Sequence, residues 1–298
     1  DLVRSRGLGD VYKRQVYGLA ANAYSDLATS KIFKLKKRPK NNPLIVHYYS
    51  LENLKKDCKI NQNFIKLYKK FCPGPITFIL KLKSKNKISK NVTNKKKTLA
   101  VRFPKHSLTR KLLKELDFPL AAPSANISTK VSAVSKKDVK EEFGNKIKFI
   151  LDGGSSKIGL ESTIVNLDPK PAILRLGAIE VSKINKVLKS KVNYKSKNNK
   201  NIVPGQGKLH YSPGIKIRRN VKIPKKHEAF LLIKKRKISD KNFFYLTKNN
   251  NLNEAGRNLY RTLRMIKKLK YNSISVEKIP NKGIGQTIND RLIRASKK

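Results

Sequence analysis

Short apolar runs alternate with stretches of helical periodicity from Val16 to about Ile179, and this alternation limits the fold more than any other feature of the sequence. The apolar runs predict strands at residues 42–47, 76–82, 98–103, 149–152 and 162–167. The periodic stretches predict helices at about 25–34, 62–71, 108–116 and 135–143. Strands and helices that alternate in this way form a sheet covered by helices, so we predict an α+β or α/β domain over residues 16–182.

A second, smaller unit follows a polar stretch. Residues 183–227 are rich in Lys, Asn and Ser and include the segment PGQGKLHYSP, so we predict that they form a linker. Beyond them the pattern predicts strands at 229–233, 242–246 and 273–279 and an amphipathic helix at 252–269. Residues 228–298 are therefore predicted to form a small α/β domain.

The first fifteen residues, DLVRSRGLGDVYKRQ, differ in composition from the rest of the chain. They are rich in Arg, whereas the remaining chain is rich in Lys. We interpret residues 1–15 as a non-native extension, such as a translated adapter, and exclude them from the prediction of the fold.

The charge of the chain is strongly positive, with 70 Lys and Arg side chains against 19 Asp and Glu and a formal net charge of +51. One interpretation is a polyanionic partner such as structured, double-stranded RNA. The other is a composition set by A/T-rich codons, because the basic residues are mostly Lys, are spread along the chain and accompany many Asn and Ile residues. In both cases anionic small molecules experience a favourable field.

Two classes of protein are excluded by composition. The chain has only two cysteines, which excludes a disulfide scaffold, and no apolar run approaches the roughly 20 residues that a membrane-spanning helix needs. The amino terminus has no apolar signal-peptide core. We therefore predict a cytoplasmic protein with reduced thiols and no membrane partner.

Two clusters of basic residues could bind anions. Lys36 and Arg38 end a predicted helix shortly before Asn42 and a strand that finishes with His47. A basic helix end also complements the helix dipole without binding anything. Arg102 ends another apolar strand and needs an anionic partner, which could be either a ligand or a structural carboxylate.

Two further clusters bring hydroxyl and amide groups to strand ends. Ser124 and Asn126 follow an apolar run and could form either a binding loop or an ordinary turn. Ser162 begins one predicted strand, and Arg175 ends the next, where it could equally lie at the surface. The sequence contains no Ser-His-Asp order, phosphate-binding Walker loop or zinc motif, so we assign no metal ligands.

The order of these clusters carries more information than any one of them. The segments IFKLKKRPKNNPLIVH, FCPGPITFIL, TLAVRFP, PLAAPSANIS, GLESTIV and ILRLGAIE together resemble the threonylcarbamoyl-adenylate synthase family over roughly residues 16–180. PGQGKLHYSP resembles the linker of its two-domain members, and GIGQTINDRLIRAS resembles the end of their C-terminal domain. The resemblance implies an α/β fold with a twisted, mixed-sheet YrdC-like domain that contains a concave positive cavity. A small Rossmann-like α/β domain would follow it.

The resemblance also implies a reaction, in which L-threonine, bicarbonate and ATP give L-threonylcarbamoyladenylate and pyrophosphate. Partner proteins would then transfer the threonylcarbamoyl group to adenosine in transfer RNA, which this chain could itself contact. Mg²⁺ would accompany ATP, held mainly by the phosphates and water, and no organic cofactor is expected. No protein nucleophile is needed, which agrees with the absence of a catalytic triad.

Roles in the site follow from the resemblance residue by residue. The expected catalytic residues are Lys36, Arg38, Ser124 and Asn126. ATP would be bound by Arg38, Asn42, Thr98, Asn126, Arg175 and Tyr211, with Lys36 also on the phosphates. Threonine would be bound by His47, Arg102, Ser124 and Ser162. Tyr211, from the linker, would close the cavity as a lid.

The sequence departs from the family pattern in three places. Gln15 stands where the family has the last Thr of Pro-Thr-Glu-Thr, which would remove a threonine contact and impair this chain. Val134 replaces a Thr whose hydroxyl can contact ATP, and the linker has Gln206-Gly207-Lys208 in place of a Met-Lys-Tyr-type stretch.

Two alternatives stay open at this stage. The first is a protein that binds structured RNA without catalysis, which the charge of +51 would support. The second is a carbamoyl-transfer relative used in hydrogenase maturation, but its expected acylphosphatase-like and zinc-binding segments are not found in this sequence.

Overall fold

The computed structural model describes residues 9–12, 16–156, 158–194, 203, 210–237 and 240–297. Within these residues the strands gather into two sheets, a ten-stranded mixed sheet and a four-stranded parallel sheet. The expected α/β class and the twisted mixed sheet of the larger domain are confirmed.

The larger sheet has the strand order β10-β9-β8-β4-β5-β3-β6-β2-β1-β7. Its strands are β1 (Gly9–Tyr12), β2 (Tyr17–Asn22), β3 (Ile45–His47), β4 (Ile76–Lys81), β5 (Thr98–Arg102), β6 (Leu120–Ala121), β7 (Ile150–Leu151), β8 (Thr163–Asn166), β9 (Ala172–Arg175) and β10 (Asn193–Tyr194). The helices are α1 (Asp26–Lys36), α2 (Leu51–Asp57), α3 (Gln62–Phe71), α4 (Lys90–Thr93), α5 (Ser107–Glu115), α6 (Lys136–Phe143) and α7 (Val181–Leu188), and a 3₁₀ turn spans Gly144–Lys146.

The two faces of this sheet serve different purposes, because successive side chains of a strand point to opposite sides. On one face Val46, Phe78 and Val101 pack with helices α1, α2, α3, α4 and α7 in the main hydrophobic core. On the other face their neighbours Ile45, Ile79 and Ala100 form a separate small apolar cluster with Ile164, Ala172, Leu174 and Val203. This second face, which the helices of the core leave open, is the one that carries the site.

The smaller sheet has the order β11-β14-β12-β13, and every pairing in it is parallel. Its strands are β11 (Lys216–Arg219), β12 (Glu228–Lys234), β13 (Phe243–Thr247) and β14 (Ser273–Val276), and its helices are α8 (Leu252–Lys268) and α9 (Ile284–Ala295). A small parallel sheet with crossover helices is compatible with the expected Rossmann-like unit.

The predicted linker is not a simple connection. Residues 183–227 contain most of α7, strand β10 of the larger sheet and strand β11 of the smaller one. The polar composition concealed these elements because β10 and β11 are short and α7 buries only Ile184 and Leu188. Residues 204–209 of PGQGKLHYSP lie outside the described residues, and 210–213 lie within them.

The exclusion of residues 1–15 from the fold is wrong for Gly9–Tyr12. Their backbone forms β1, which is antiparallel to β2 and parallel to β7. Backbone hydrogen bonds do not depend on side-chain identity, so an unusual composition does not prevent a segment from extending a sheet. The interpretation of residues 1–15 as non-native stays a prediction, and Gln15 lies outside the described residues.

The other predicted elements agree with the structure to within a few residues. Helix α3 has the predicted bounds, α1 and α5 differ from their predictions by one or two residues at each end, and α6 differs by one residue at its start. Helices α2, α4, α7 and α9 were not predicted. Among the described residues, every helix is too short or too polar to traverse a lipid bilayer.

Candidate active site

A cavity opens on the second face of the larger sheet, where this domain meets the segment that leads to the smaller one. Its wall is formed by Val16, Arg38, Ile45, His47, Arg102, Ala122, Pro123, Ser124, Glu161, Ser162, Arg175, His210 and Tyr211. Strands β3 and β5 are parallel and pair His47 with Arg102, so these two side chains reach the cavity side by side from the ends of their strands.

The end of α1 places the first two cations. Ser25 caps the start of the helix by accepting a hydrogen bond from the backbone of Ala28, and the helix ends at Lys37 in the left-handed conformation. This turn separates Lys36 from Arg38. The Lys36 ammonium is buried and donates to the backbone oxygen of Ser124 at 2.6 Å and to that of Asn126.

Arg38 is held by the loop that leads into β3. Its Nε donates to the backbone oxygen of Asn42 at 3.0 Å, and its Nη2 donates to Asn42 Oδ1 at 2.6 Å and to the Pro43 oxygen at 2.8 Å. Asn42 itself is not in the cavity wall. Its amide oxygen orients the guanidinium that lies there.

Two more arginines enter from the strands. Arg102 is 5% exposed, and its Nε donates to the Gly74 oxygen at 3.3 Å. Arg175 is equally buried and donates to the backbone oxygen of Ser162 at 2.9 Å and to its hydroxyl at 3.0 Å. The Ser162 hydroxyl also shares a 2.6 Å hydrogen bond with Thr77, which fixes it between two neighbours.

These arginines oppose one another electrostatically. Burial, followed by the charge of Arg175, lowers the pKa of both Arg38 and Arg102 to about 9. Burial also lowers the pKa of Arg175. Three guanidinium groups that destabilise each other's charge in a buried space favour the binding of an anion.

Three buried polar atoms at or beside the cavity have no hydrogen-bond partner among the described residues. They are Asn126 Oδ1, His210 Nδ1 and the Tyr211 hydroxyl. The other end of the Asn126 amide is fixed, since Nδ2 donates to the oxygens of Ile127 at 2.7 Å and Lys130 at 2.9 Å. A buried polar group without a partner costs free energy, and such groups mark places where a ligand can supply the missing bond.

His210 and Tyr211 form the part of the wall that comes from the segment between the domains. Tyr211 has a backbone φ of 63°, which is uncommon for a residue other than glycine. Its ring stacks on Tyr260 with a centroid distance of 5.7 Å, and Arg291 lies over it at 4.7 Å. The centre of a water molecule can occupy about 40 Å³ of this cavity, so the space beside these two side chains can hold ordered water.

His210, one of the two histidines in the wall, is uncharged at neutral pH. Burial, together with the positive charges of Arg38, Arg291, Lys36 and Arg175, lowers the pKa of His210 well below its usual value. A proton on this ring would add another cation to a space already occupied by several.

The cavity offers little to a tightly held metal ion. No group of three or more His, Cys, Asp or Glu side chains converges anywhere in the described part of the chain. The one carboxylate in the wall, Glu161, accepts hydrogen bonds from Ser132, Tyr260 and Arg291. Glu161 is therefore engaged with three protein side chains.

The structure brings most of the predicted site residues together. Arg38, His47, Arg102, Ser124, Ser162, Arg175 and Tyr211 lie in the wall. Lys36, Asn42 and Asn126 lie directly behind it, bound to wall residues or to one another. Thr98 is the exception. It shares the sheet face of Ala100 and Arg102 but begins β5, about 13 Å from Arg102 at the usual rise per residue, and is not part of the wall.

Val134 takes no part in the cavity wall. Its side chain packs with Val131 and Leu160 in the core of the smaller domain. The apolar side chain at this departure from the family pattern is therefore used for packing between the domains.

Three residues of the site were missed by the sequence analysis, namely Glu161, His210 and Arg291. His210 belongs to a segment whose position could not be derived, and Arg291 reaches the site from α9 at the far end of the chain. Glu161 did carry a signal, because an acidic residue inside the apolar run GLESTIV of such a basic chain indicates a buried ion pair.

Comparison with known proteins agrees with this geometry. A family model described as "Telomere recombination", defined by Sua5, YciO and YrdC proteins, matches residues 14–177. A second, described as the C-terminal domain of threonylcarbamoyl-AMP synthase, matches residues 179–297. The second match favours the two-domain synthases over the relatives used in hydrogenase maturation.

Individual relatives are similar over almost the whole chain. The threonylcarbamoyl-AMP synthase of Pyrococcus abyssi is 34% identical, with 94% of this chain and 88% of the relative covered. That of Bacillus subtilis is 32% identical, with 94% and 87% covered. The crystal structure of P. abyssi Sua5 complexed with L-threonine covers 99% of this chain and 92% of its own, with 32% identity and a TM-score of 0.90. The chain therefore belongs to the Sua5 family, in its two-domain form.

Proposed function

We propose that this chain is a threonylcarbamoyl-AMP synthase, which converts L-threonine, bicarbonate and ATP into threonylcarbamoyl-AMP and pyrophosphate. The observation that carries the proposal is the convergence of Arg38, Arg102 and Arg175, with Lys36 directly behind them, on one buried cavity. Substrates with a carboxylate and a triphosphate supply the negative charge that this arrangement favours.

Threonine would lie at the end of β3 and β5. The Arg102 guanidinium can bind a carboxylate with two parallel hydrogen bonds, and His47 is its paired neighbour on the next strand. Ser124 and Ser162, which also line the cavity, would contact the amino acid through their hydroxyl groups. The P. abyssi relative crystallised with L-threonine supports this choice of substrate.

The phosphates of ATP would lie between α1 and β9. Arg38, oriented by Asn42, and Arg175 are the side chains that reach the cavity there. Lys36 would act through the loop that it holds, since its ammonium binds the backbone oxygens of Ser124 and Asn126. The unpaired Asn126 Oδ1 would accept a hydrogen bond from the nucleotide. A contact between Thr98 and ATP would require the nucleotide to extend along β5.

The reaction requires no nucleophile from the protein. The threonine amine and bicarbonate form a carbamate with loss of water, and a carbamate oxygen attacks the α-phosphorus as the bond to pyrophosphate breaks. Negative charge grows on the leaving pyrophosphate, where Arg38 and Arg175 would stabilise it. Mg²⁺ would enter as part of the MgATP substrate and neutralise further phosphate charge.

Tyr211 and His210 would act as a lid. Both side chains line the cavity, so they would move away from the wall for ATP and threonine to enter together. Their return would exclude water from the product, a mixed anhydride that hydrolyses readily. The product must reach a transferase for transfer RNA, so we also propose contact with such partner proteins, and a cytoplasmic location that agrees with the free thiols of Cys58 and Cys72.

The experiment is pyrophosphate release by the purified chain. We expect release in the presence of ATP, Mg²⁺, L-threonine and bicarbonate, a fall to background when threonine or bicarbonate is omitted, and threonylcarbamoyl-AMP identified by mass spectrometry. Release that is independent of threonine would refute the proposal. Steeply salt-dependent RNA binding with no release would instead favour the structured-RNA alternative.

A pair of arginine variants sharpens this test. Arg102→Met should raise the KM for threonine by about ten- to a hundredfold, because a charge-assisted pair contributes roughly 1.5–3 kcal/mol. The matched control is Arg110→Met. Arg110 lies on α5 with its guanidinium 4.5 Å from the Tyr49 ring, outside the cavity wall, and its replacement should leave the KM unchanged.

A further inference from the structure

A buried polar cluster joins the smaller domain to the cavity wall. Arg291 of α9 is 1% exposed and donates from Nε to Glu161 Oε2 at 3.1 Å and from Nη2 to the Leu176 oxygen at 2.6 Å. Tyr260 of α8 donates to the same Glu161 oxygen at 2.8 Å, and Ser132 donates to the other at 2.8 Å. Glu161, a wall residue of the larger domain, therefore has its charge compensated by the smaller one.

The same arginine contacts the lid. Its guanidinium lies 4.7 Å from the centroid of the Tyr211 ring, which in turn stacks on Tyr260. Asp290 accepts from Arg291 at 2.5 Å and is also paired with Arg294, so the cluster contains two acidic and two basic groups. One side chain, Arg291, thus touches both Glu161 and Tyr211.

The contact between the domains is close enough to hold this cluster in place. Gly159, with a φ of +73°, lies against the backbone of α8, and a Cβ there would come within 2.3 Å of the Arg257 oxygen. Val16, Val131, Val134 and Leu160 of the larger domain belong to the core of the smaller one. The position of α9 relative to the cavity is therefore set by packing on both sides.

The position of Glu161 makes its charge important for binding. It precedes Ser162 directly and lines the same cavity as Arg38, Arg102 and Arg175. An uncompensated carboxylate in a buried cavity repels the carboxylate of an amino acid and the phosphates of a nucleotide. A protonated or paired carboxylate does not.

We propose that Arg291 is a positioning residue through which the C-terminal domain completes the substrate site, by neutralising Glu161 and by supporting the Tyr211 ring. This rests on the proposed function in that the substrates are the anions ATP and L-threonine. Arg291 itself is not in the cavity wall, so it acts through Glu161 and Tyr211.

The test compares three full-length variants with the wild-type chain by isothermal titration with ATP and with L-threonine. Arg291→Met should raise both dissociation constants about tenfold or more, which is the order expected for one unpaired charge several ångströms away at an effective dielectric constant of about 20. The double variant Arg291→Met/Glu161→Gln removes both charges and should return the constants to within about threefold of wild type.

Arg218→Met is the matched control. Arg218 pairs with the buried Glu228 inside the smaller sheet, at 2.5 Å, and no atom of this pair lines the cavity. Its loss should leave both dissociation constants unchanged. If Arg291→Met does not fold, Arg291→Gln, which can still donate to the Leu176 oxygen, is measured in its place with the same expectation.

Two results would overturn the inference. The first is a folded Arg291 variant with wild-type dissociation constants, and the second is a double variant that binds no better than the single one. A wild-type chain that binds ATP and threonine but releases no pyrophosphate would contradict the proposed function. The dissociation constants of the Arg291 variants could still be compared with those of the wild type.

Discussion

His210 makes the stability of the chain depend on pH in a predictable direction. In the folded state its ring is buried beside Arg38, Arg291, Lys36 and Arg175, and its pKa lies well below the usual value. In the unfolded chain the ring titrates near the ordinary histidine pKa of about 6.5. Below that pH the unfolded state binds a proton that the folded state does not, so the free energy of unfolding must fall as the pH is lowered through 6.5.

The size of the effect follows from the proton linkage. If the folded ring stays neutral down to pH 5.5, lowering the pH from 7.5 to 5.5 removes about 1.4 kcal/mol from the free energy of unfolding. Asp290 also has a lowered pKa, caused mainly by Arg291 and Arg294 against the opposing effect of burial, and Glu228 has one through its bond to Arg218. Both carboxyl groups lose their stabilising contribution near and below their ordinary pKa values, so these two groups contribute little to the loss between pH 7.5 and 5.5.

The assay is urea unfolding at pH 7.5 and 5.5, followed by circular dichroism, for wild type and two variants. His210→Gln should reduce the pH-dependent loss of stability by about 1.4 kcal/mol. His227→Asn removes an exposed histidine with a left-handed backbone, which Asn tolerates, and should keep the full loss. Equal losses in wild type and His210→Gln would refute the argument that the folded ring is held neutral.

Three further predictions concern the site and its frame. Arg38→Ala should lower kcat/KM by about 10²–10³-fold and Ser124→Ala should abolish turnover, because both variants remove contacts that the transition state needs. Neither variant should unfold the chain. Full activity of both in a pyrophosphate-release assay would overturn the assigned site. Gly177→Ala should lower the free energy of unfolding by about 1–3 kcal/mol, since its Cβ would stand 2.3 Å from the backbone of Ser162 and Thr163; an unchanged urea midpoint would contradict it. ATP at a hundred times its dissociation constant should stabilise the chain by about 2.7 kcal/mol, and no increase in Tm in a thermal melt would argue against binding to the folded state.

The sequence predicted the central strands β3, β4, β5 and β8 of the larger sheet and seven residues of the cavity wall, because each of these signals is local in the chain. Strand ends such as His47 and Arg102 are placed by period-two patterning, which also decides which side chains face the core. The order of motifs supplied the rest through the family resemblance. These signals need no knowledge of how distant segments meet.

Contributions from distant segments could not be predicted in the same way. Arg291 lies 130 residues from its partner Glu161, and neither residue carries information about the other in a single sequence. Strands β10 and β11 are short and polar, so composition indicated a linker. Thr98 stays a prediction, since it begins β5 outside the cavity wall and only a nucleotide that extends along this strand would reach it.

Val131, Val134 and Leu160 belong to the catalytic domain, yet they complete the interior of its neighbour. The two domains therefore share part of a hydrophobic core, and they cannot be separated without exposing it. A form of the catalytic domain that exists alone would have to carry polar side chains at these positions to stay dispersed in water. Truncation or recombination at residue 182 would expose this apolar surface to water and promote aggregation. In the intact chain the two domains should unfold together, in a single calorimetric transition.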